Sequence, residues 1–233
     1  MAEERICMSP SALVGRPDEP TATGPARDRV YEWLRDEIIR GTLEGGMFLD
    51  EQWVSRTMGV SRTPVREALH RLAAEKFVTL NPRKGAQVRM VTARELEEVY
   101  QARLLIEGNA INTTCARNGS AAEDMANFLE PMEQAGRERD WFTVAHLDRE
   151  FHLTLVRAAG NSVLTELYDS LRSRQQRLAV RMLHVGPQRL DTINAQHRAL
   201  VAALGKCDAA ESLRILQEHL QPVPEVVVLL PAQ

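Results

Sequence analysis

Apolar residues recur at helical spacing along most of this chain, and the sharpest instance lies between Asp50 and Glu75. There Val65, Ala68, Leu69 and Leu72 fall at i, i+3, i+4 and i+7, which predicts a helix with one buried face and with Arg62, Thr63, Arg66, His70 and Arg71 projecting elsewhere. Ser61 or Thr63 can cap its start, and either choice puts Pro64 in the first turn, where a proline costs no intrahelical hydrogen bond. Met58-Gly59-Val60 reads as a tight turn from a preceding short helix. Upstream, Tyr31, Leu34, Ile38 and Ile39 predict a helix over residues 28–40 that ends at Gly41. Downstream, residues 77–80 and 86–90 are β-prone runs around Asn81-Pro82-Arg83-Lys84-Gly85, which predicts a hairpin with two cations at its tip.

From Thr92 onward no strand pattern appears. Helical periodicity returns five or six times, with breaks expected near Gly119, Arg139, Gly160, Gly186 and Cys207. Thr92 with Glu95 three residues on predicts a capping box, and Asn161-Ser162 opens what reads as one long helix to about His184. Residues 1–27 are rich in Pro, Gly, Ser, Thr and Ala without periodicity and read as a mobile arm. Pro222 and Pro224 end the last helix. The expected layout is mainly α: the arm, a winged helix-turn-helix of three helices and a hairpin over 28–91, an all-α bundle over 92–221, and an irregular tail over 222–233.

Charge sharpens this division. The net charge of −3 looks wrong for a nucleic-acid binder, but residues 53–91 hold eight Lys or Arg against Glu67 and Glu75, a balance of +6 that leaves −9 for the rest. A basic segment attached to an acidic bulk fits a DNA reader joined to a second domain with another task. Within the basic segment, Arg62 and Arg66 are i, i+4 neighbours able to reach guanine edges, and Ser61 and Thr63 can reach a phosphate or a base. Cys7, Cys115 and Cys207 are odd in number and lack C-x-x-C spacing, so neither a disulfide framework nor a cysteine metal site is indicated. With no N-terminal signal pattern and no apolar run long enough to span a bilayer, a cytoplasmic protein without membrane association is expected.

In the acidic part, the informative feature is polar residues on apolar stripes. Val144, Leu147, Phe151 and Leu155 define one stripe, and Asp148 and His152 lie inside it four residues apart. His197 sits among Leu190, Ile193, Leu200 and Leu204, and His219 lies at the edge of Leu213, Leu216 and Leu220. A single buried histidine is more often a hydrogen-bonded core residue, but a carboxylate and three imidazoles facing one core are costly to bury unpaired, and a divalent cation satisfies them together. Zn²⁺, Ni²⁺, Co²⁺ and Mn²⁺ all accept this donor set. His146 falls on the opposite face, and His70 and His184 have no such company; these three read as structural. Arg103 lies on the stripe of Leu96, Val99, Ile106 and Ala110, where a guanidinium needs an anion; Glu107, one turn along, is one candidate.

The run Gly59 to Leu72, preceded by Leu49, Glu51 and Val54 and followed by the short hairpin, resembles the GntR superfamily of bacterial transcription regulators. Asp148, His152, His197 and His219 match places at which the FadR branch, with its all-helical FCD-type effector domain, often carries an Asp and three His. The resemblance covers roughly residues 28–221. It implies a homodimer on a palindromic double-stranded DNA operator, with Arg83 and Lys84 of the wing tip at phosphates or the minor groove. It also implies a metal in the bundle cavity and a small carboxylic or sugar acid as effector that completes the metal's coordination and is gripped by Arg103. Two departures are local: Gln196 stands where relatives usually have Glu, and the prolines shorten the closing helix just after His219. The rival expectation is a metal-dependent hydrolase fused to a DNA-binding module, since an Asp/His₃ site with open positions can activate water. Against it, the chain has no H-E-x-x-H, no G-x-S-x-G and no evident general base beside the four residues.

Overall fold

Helix α1 (Ala26–Arg40) buries Val30, Tyr31, Leu34, Ile38 and Ile39, and Gly41 closes it in the left-handed region at φ 84°. The structure, a computed structural model, describes residues 24–82, 85–117, 121–222, 224–228 and 230–231. Most of the expected arm, the wing-tip pair Arg83 and Lys84, and the break expected near Gly119 lie outside the described residues. The chain divides into two units, Met1–Arg89 and Met90–Gln233.

In the first unit, α2 (Glu51–Met58) starts at Asp50, whose carboxylate accepts the Trp53 N–H at 2.9 Å, and ends at Gly59 with φ 64°. That left-handed residue turns the chain into α3 (Arg62–Ala74), whose apolar face is Val65, Ala68, Leu69 and Leu72. Ser61 takes the N-cap position, although its hydroxyl makes no capping bond. The anchor between α1 and α3 is polar: the Tyr31 hydroxyl donates to Glu75 at 2.6 Å, and the Arg71 guanidinium lies 3.6 Å from the centre of the Tyr31 ring. The expected hairpin forms from β2 (Val78–Asn81) and β3 (Gly85–Val88), paired antiparallel with Asn81 opposite Gly85. A third strand, β1 (Phe48–Leu49), pairs with the other edge of β3. Two residues are too few to show a period of two, so the sequence gives no sign of β1.

The second unit is helical throughout its described residues. In chain order it contains α4 (Ala93–Ala116), α5 (Ala122–Ala126), α6 (Leu129–Arg137), α7 (Trp141–Ala158), α8 (Ser162–Ser170), α9 (Arg172–Val185), α10 (Leu190–Gly205), α11 (Ala209–His219) and α12 (Pro224–Val227). Side-chain caps set several starts: Asp140 accepts from Thr143 N at 3.1 Å, Asn161 from Leu164 N at 3.1 Å, and Asp208 from Glu211 N at 3.0 Å. The core is built on Ile111, Met125, Met132, Phe151, Leu153, Leu155 and Tyr168.

Four details differ from expectation. The long helix from Ser162 is interrupted at Leu171, where ψ opens to −8° and α8 gives way to α9 without a glycine or proline to mark it. The capping box at α4 is half formed: Thr92 accepts the Glu95 N–H at 3.1 Å, but the Glu95 carboxylate turns to Arg174, 3.7 Å away. The tail is not wholly irregular. It makes the single turn α12, buries Leu230 against Leu96, Val99, Leu178 and Met182, and accepts the Ala93 N–H on the Pro231 carbonyl at 3.1 Å. Cys115 and Cys207, remote in sequence and both free thiols, are neighbours; burial and the Cys207 thiol push the Cys115 thiol above its usual pKa. Among the described residues, no helix is long and apolar enough to cross a membrane.

Gly85 and Gly41 supply a controlled comparison, because their φ values are 83° and 84°. A Cβ at Gly41 meets open space, whereas one at Gly85 sits 2.5 Å from the Leu49 carbonyl oxygen, a backbone atom that cannot swing away. Gly41→Ala is expected to cost about 1 kcal/mol from left-handed strain alone, and Gly85→Ala clearly more, read by chemical denaturation of each variant. Equal losses would contradict the close packing of β3 on β1.

Candidate functional site

In the first unit, the N-terminal turn of α3 presents Arg62, Thr63 and Arg66 to solvent. The groove beside it is lined by Arg62, Arg66 and His70 of α3, Glu51 and Gln52 of α2, and Asn81 of the hairpin. Arg62 and Thr63 have no side-chain partner among the described residues, but Arg66 donates from Nε to Glu51 Oε2 at 2.8 Å. That pair is largely exposed and worth no more than about 1 kcal/mol, so a phosphate or guanine can displace Glu51 cheaply. His70, read from the sequence as structural, stands on the same groove.

In the second unit, three helices bring Asp148 and His152 of α7, His197 of α10 and His219 of α11 together, with one donor atom from each lying within 4.8 Å of all the others. The imidazole centres are 4.7 to 5.3 Å apart. His152 and His197 are buried, and Asp148 keeps 17% of its side chain exposed. Asp148 Oδ1 is 3.3 Å from His197 Nε2 and 3.9 Å from His152 Nε2, outside hydrogen-bonding geometry in both cases.

Behind the cluster stands Glu107 of α4, with no exposed surface. Its Oε1 accepts from Arg103 Nε at 2.7 Å and from the Tyr168 hydroxyl of α8 at 2.8 Å, while Oε2 lies 2.8 Å from His152 Nδ1. Their angle lies outside hydrogen-bonding geometry, so the contact is electrostatic: the carboxylate favours a proton on Nδ1, which turns the Nε2 lone pair to the cluster. His219 is oriented in the same way, its Nδ1 lying 3.1 Å from Gln196 Oε1. The Gln196 amide oxygen thus takes the place that a carboxylate would occupy.

The charges follow from this packing. Burial alone would raise the Glu107 carboxyl, but Arg103 and then His152 hold it far below the usual carboxylate range. Burial would likewise raise Asp148, yet the facing imidazoles of His197 and His152 and the Arg103 charge hold it low. Burial depresses His197, and depresses His219 further with help from its imidazole neighbours, so both are neutral at pH 7. The Tyr168 hydroxyl is pushed well above its usual value, first by burial.

These residues pass the physical test for a divalent cation on their own evidence. Both ring nitrogens of His152 and of His197 are buried without a hydrogen bond, an arrangement that costs free energy unless the unprotonated nitrogen of each ring finds an acceptor for its lone pair. Neutral imidazoles with a low-pKa carboxylate form the donor set of Zn²⁺-type sites. Beside the cluster opens a small cavity of about 60 Å³, lined by Asp148, His219, Arg103, Tyr100, Gln175 and Arg189 among aliphatic side chains. Arg103 is held at Nε by Glu107, while one of its terminal nitrogens is buried without a hydrogen-bond partner.

Tyr168, Gln175 and Arg189 are functional candidates that the sequence pattern did not single out. Their signal was faint but present. Helix α9 buries Gln175, Gln176 and Arg177 in succession, a run no apolar stripe explains.

Comparison with known proteins agrees with both units. Residues 26–88 match the family described as bacterial regulatory proteins, gntR family, and residues 98–222 match the FCD domain. The gluconate operon transcriptional repressor of Bacillus licheniformis is 32% identical over 166 residues, spanning 71% of this chain and 68% of the relative. The Nta operon transcriptional regulator of Aminobacter aminovorans is 31% identical over 186 residues, 78% of this chain and 87% of the relative. A crystal structure of a GntR transcriptional regulator from Rhodococcus sp. RHA1 superposes with a TM-score of 0.68 at 26% identity, covering 83% of this chain and 93% of that one. The chain belongs to the gntR family of bacterial regulatory proteins, in the group whose second unit is an FCD domain.

Proposed function

We propose that this chain is a ligand-responsive transcriptional repressor that binds operator DNA as a homodimer and senses a small organic acid at a divalent-metal site in its helical unit. The observation that carries the sensing half is the convergence of Asp148, His152, His197 and His219 from three helices, with buried imidazole nitrogens left unpaired. The DNA half rests on the exposed N-terminal turn of α3, which carries Arg62 and Thr63 free and Arg66 in a weak surface pair. Repression as the sign of regulation is carried over from the names of relatives such as the Bacillus licheniformis protein. Relatives described as regulators, and a Glu107 carboxylate already engaged by Arg103 and Tyr168 and so not free to take a proton from water, favour a sensor over a hydrolase.

When bound, a divalent ion supplies a Lewis-acid anchor for a carboxylate. The chain's own residues do the rest. Glu107 and Gln196 orient two imidazoles, and Arg103 offers its unpaired nitrogen to the acid. Dimerisation follows from economy, since one winged unit makes too few contacts for tight specific binding and a two-fold pair reads a palindrome.

Replacing Arg62 or Arg66 by Ala is expected to weaken specific operator binding by roughly 1–3 kcal/mol with less effect on unrelated DNA. Lys84→Ala should instead lower affinity for any sequence together with its salt slope. Equal losses on all DNA from the three variants would remove the base-reading assignment.

For the metal site, a small carboxylic acid should raise the melting temperature only in metal-loaded protein, by mass action on the folded state. His152→Ala combined with His197→Ala should abolish that rise and the operator response while basal DNA binding persists. A rise that survives in the double variant would count against the site.

The metal-free chain makes a separate prediction. His197 and His219 are neutral in the fold, whereas the unfolded chain protonates them below about pH 6.5. The unfolded state then binds more protons, so stability is full above that pH and falls beneath it, by up to about 1.4 kcal/mol per pH unit for each imidazole. Glu107, held low in the fold, adds to the loss below about pH 4.5. Thermal melts of chelated protein from pH 8 to pH 5 should show this decline, and a flat profile would contradict the buried neutral imidazoles.

A further inference from the structure

The cavity beside the four-residue cluster contains one feature that neither a metal nor a carboxylate explains. Gln175, projecting from α9, is only 6% exposed, and both its amide nitrogen and its amide oxygen lack a hydrogen-bond partner. It lines the cavity together with Arg103, whose terminal nitrogen is likewise buried and unpaired. A buried amide left unsatisfied on both atoms is uncommon, because each atom forfeits its hydration. What satisfies Gln175 offers an acceptor to its nitrogen and a donor to its oxygen, and one ligand group can supply both. A hydroxyl does both, and so does an amide.

The rest of the wall limits how many such groups the ligand carries. Val99, Val144, Leu178, Met182, Leu183 and Ile193 face the same space, and none can pair with a hydroxyl. Tyr100 adds one phenolic group, Arg189 is half-buried at the start of α10 within reach of water, and Asp148 and His219 are taken up by the metal. A sugar acid would bring a hydroxyl on nearly every carbon and leave most of them against aliphatic side chains, each desolvated without compensation. An acid with one hydroxyl or amide on an apolar body matches instead: Arg103 takes the carboxylate, Gln175 takes the hydroxyl, and the aliphatic wall takes the body.

We propose that the effector is a monocarboxylic acid with a single hydroxyl or amide group on a branched aliphatic or aromatic body, and that Gln175 is the residue that reads that group. This rests on the metal-and-acid reading above and narrows it.

The test compares three probes on metal-loaded full-length protein by thermal shift and calorimetric titration: 2-hydroxy-4-methylpentanoate, 4-methylpentanoate and gluconate. The hydroxy acid should bind at least about tenfold more tightly than its deoxy analogue, since a site built to pair a hydroxyl rejects the ligand lacking it, and gluconate should bind weakest. Because a 2-hydroxyl also reaches a metal bound to the same carboxylate, Gln175→Leu decides between the two sources of preference. In that variant the ratio should collapse to about twofold while 4-methylpentanoate still binds, its apolar body meeting an apolar wall. If that variant does not fold, the wild-type ratio still tests the ligand class, and the shorter Gln175→Asn, which withdraws the amide while keeping the wall polar, should lower the ratio in its place. Gluconate binding more tightly than the hydroxy acid, with metal dependence, would overturn this inference and leave the metal-and-acid reading standing. A tenfold ratio that persists in folded Gln175→Leu would remove Gln175 from its role. Binding of none of the three acids to metal-loaded protein overturns the proposed ligand class, whereas failure to retain metal at all brings down the reading beneath it.

Discussion

The buried Glu107 carboxylate is the interaction on which the helical unit's site depends. It is fully enclosed, yet ionised, because Arg103 one turn away on α4, the Tyr168 hydroxyl of α8 and the His152 ring of α7 all converge on it. Taking such a charge out of water costs several kcal/mol, and only this degree of partnership offsets it. Removing Arg103 or Glu107 alone leaves the other as an unpaired buried charge, a loss of about 3–5 kcal/mol. The same contacts that make the carboxylate tolerable also fix the tautomer of His152 and the direction of Arg103. Packing and recognition are therefore not separable at this position.

A second constraint shapes the first unit in the opposite way. The first turn of α3 stays exposed and its ion pair, Arg66 with Glu51, is a weak surface contact, while rigidity comes from the Tyr31–Glu75 anchor and from turns in which backbone geometry leaves no freedom. Gly59 sets α3 against α2, and Gly85 lets β3 approach the Leu49 carbonyl. For a ligand in the helical unit to alter DNA affinity, it must bind two states of the protein with different affinity, and DNA must then alter ligand affinity by the same factor.

Much of this was legible in the sequence for identifiable reasons. The stripe of α3, the Gly59 turn and the hairpin are local signals, each written in a few adjacent residues. Asp148 and His152 showed themselves as polar intrusions in an apolar period, and His197 by the same logic on another helix. What stayed hidden depends on tertiary context. The two-residue strand β1 exists only because β3 offers an edge, the α8–α9 break at Leu171 carries no punctuating residue, and Leu230 returns to α4 and α9 from a proline-broken tail. Gln175 is a polar residue in a run of polar residues, and its meaning appears only when its neighbours across the cavity turn out to be aliphatic.

The most direct measurement is elemental analysis with X-ray absorption spectroscopy on untagged protein never exposed to chelators. One divalent ion per chain is expected, with three imidazole scatterers and an oxygen at about 2.0–2.2 Å. A chain with no bound metal, whose stability and ligand response are unchanged by chelator, would show instead that Asp148, His152, His197 and His219 form only a polar core.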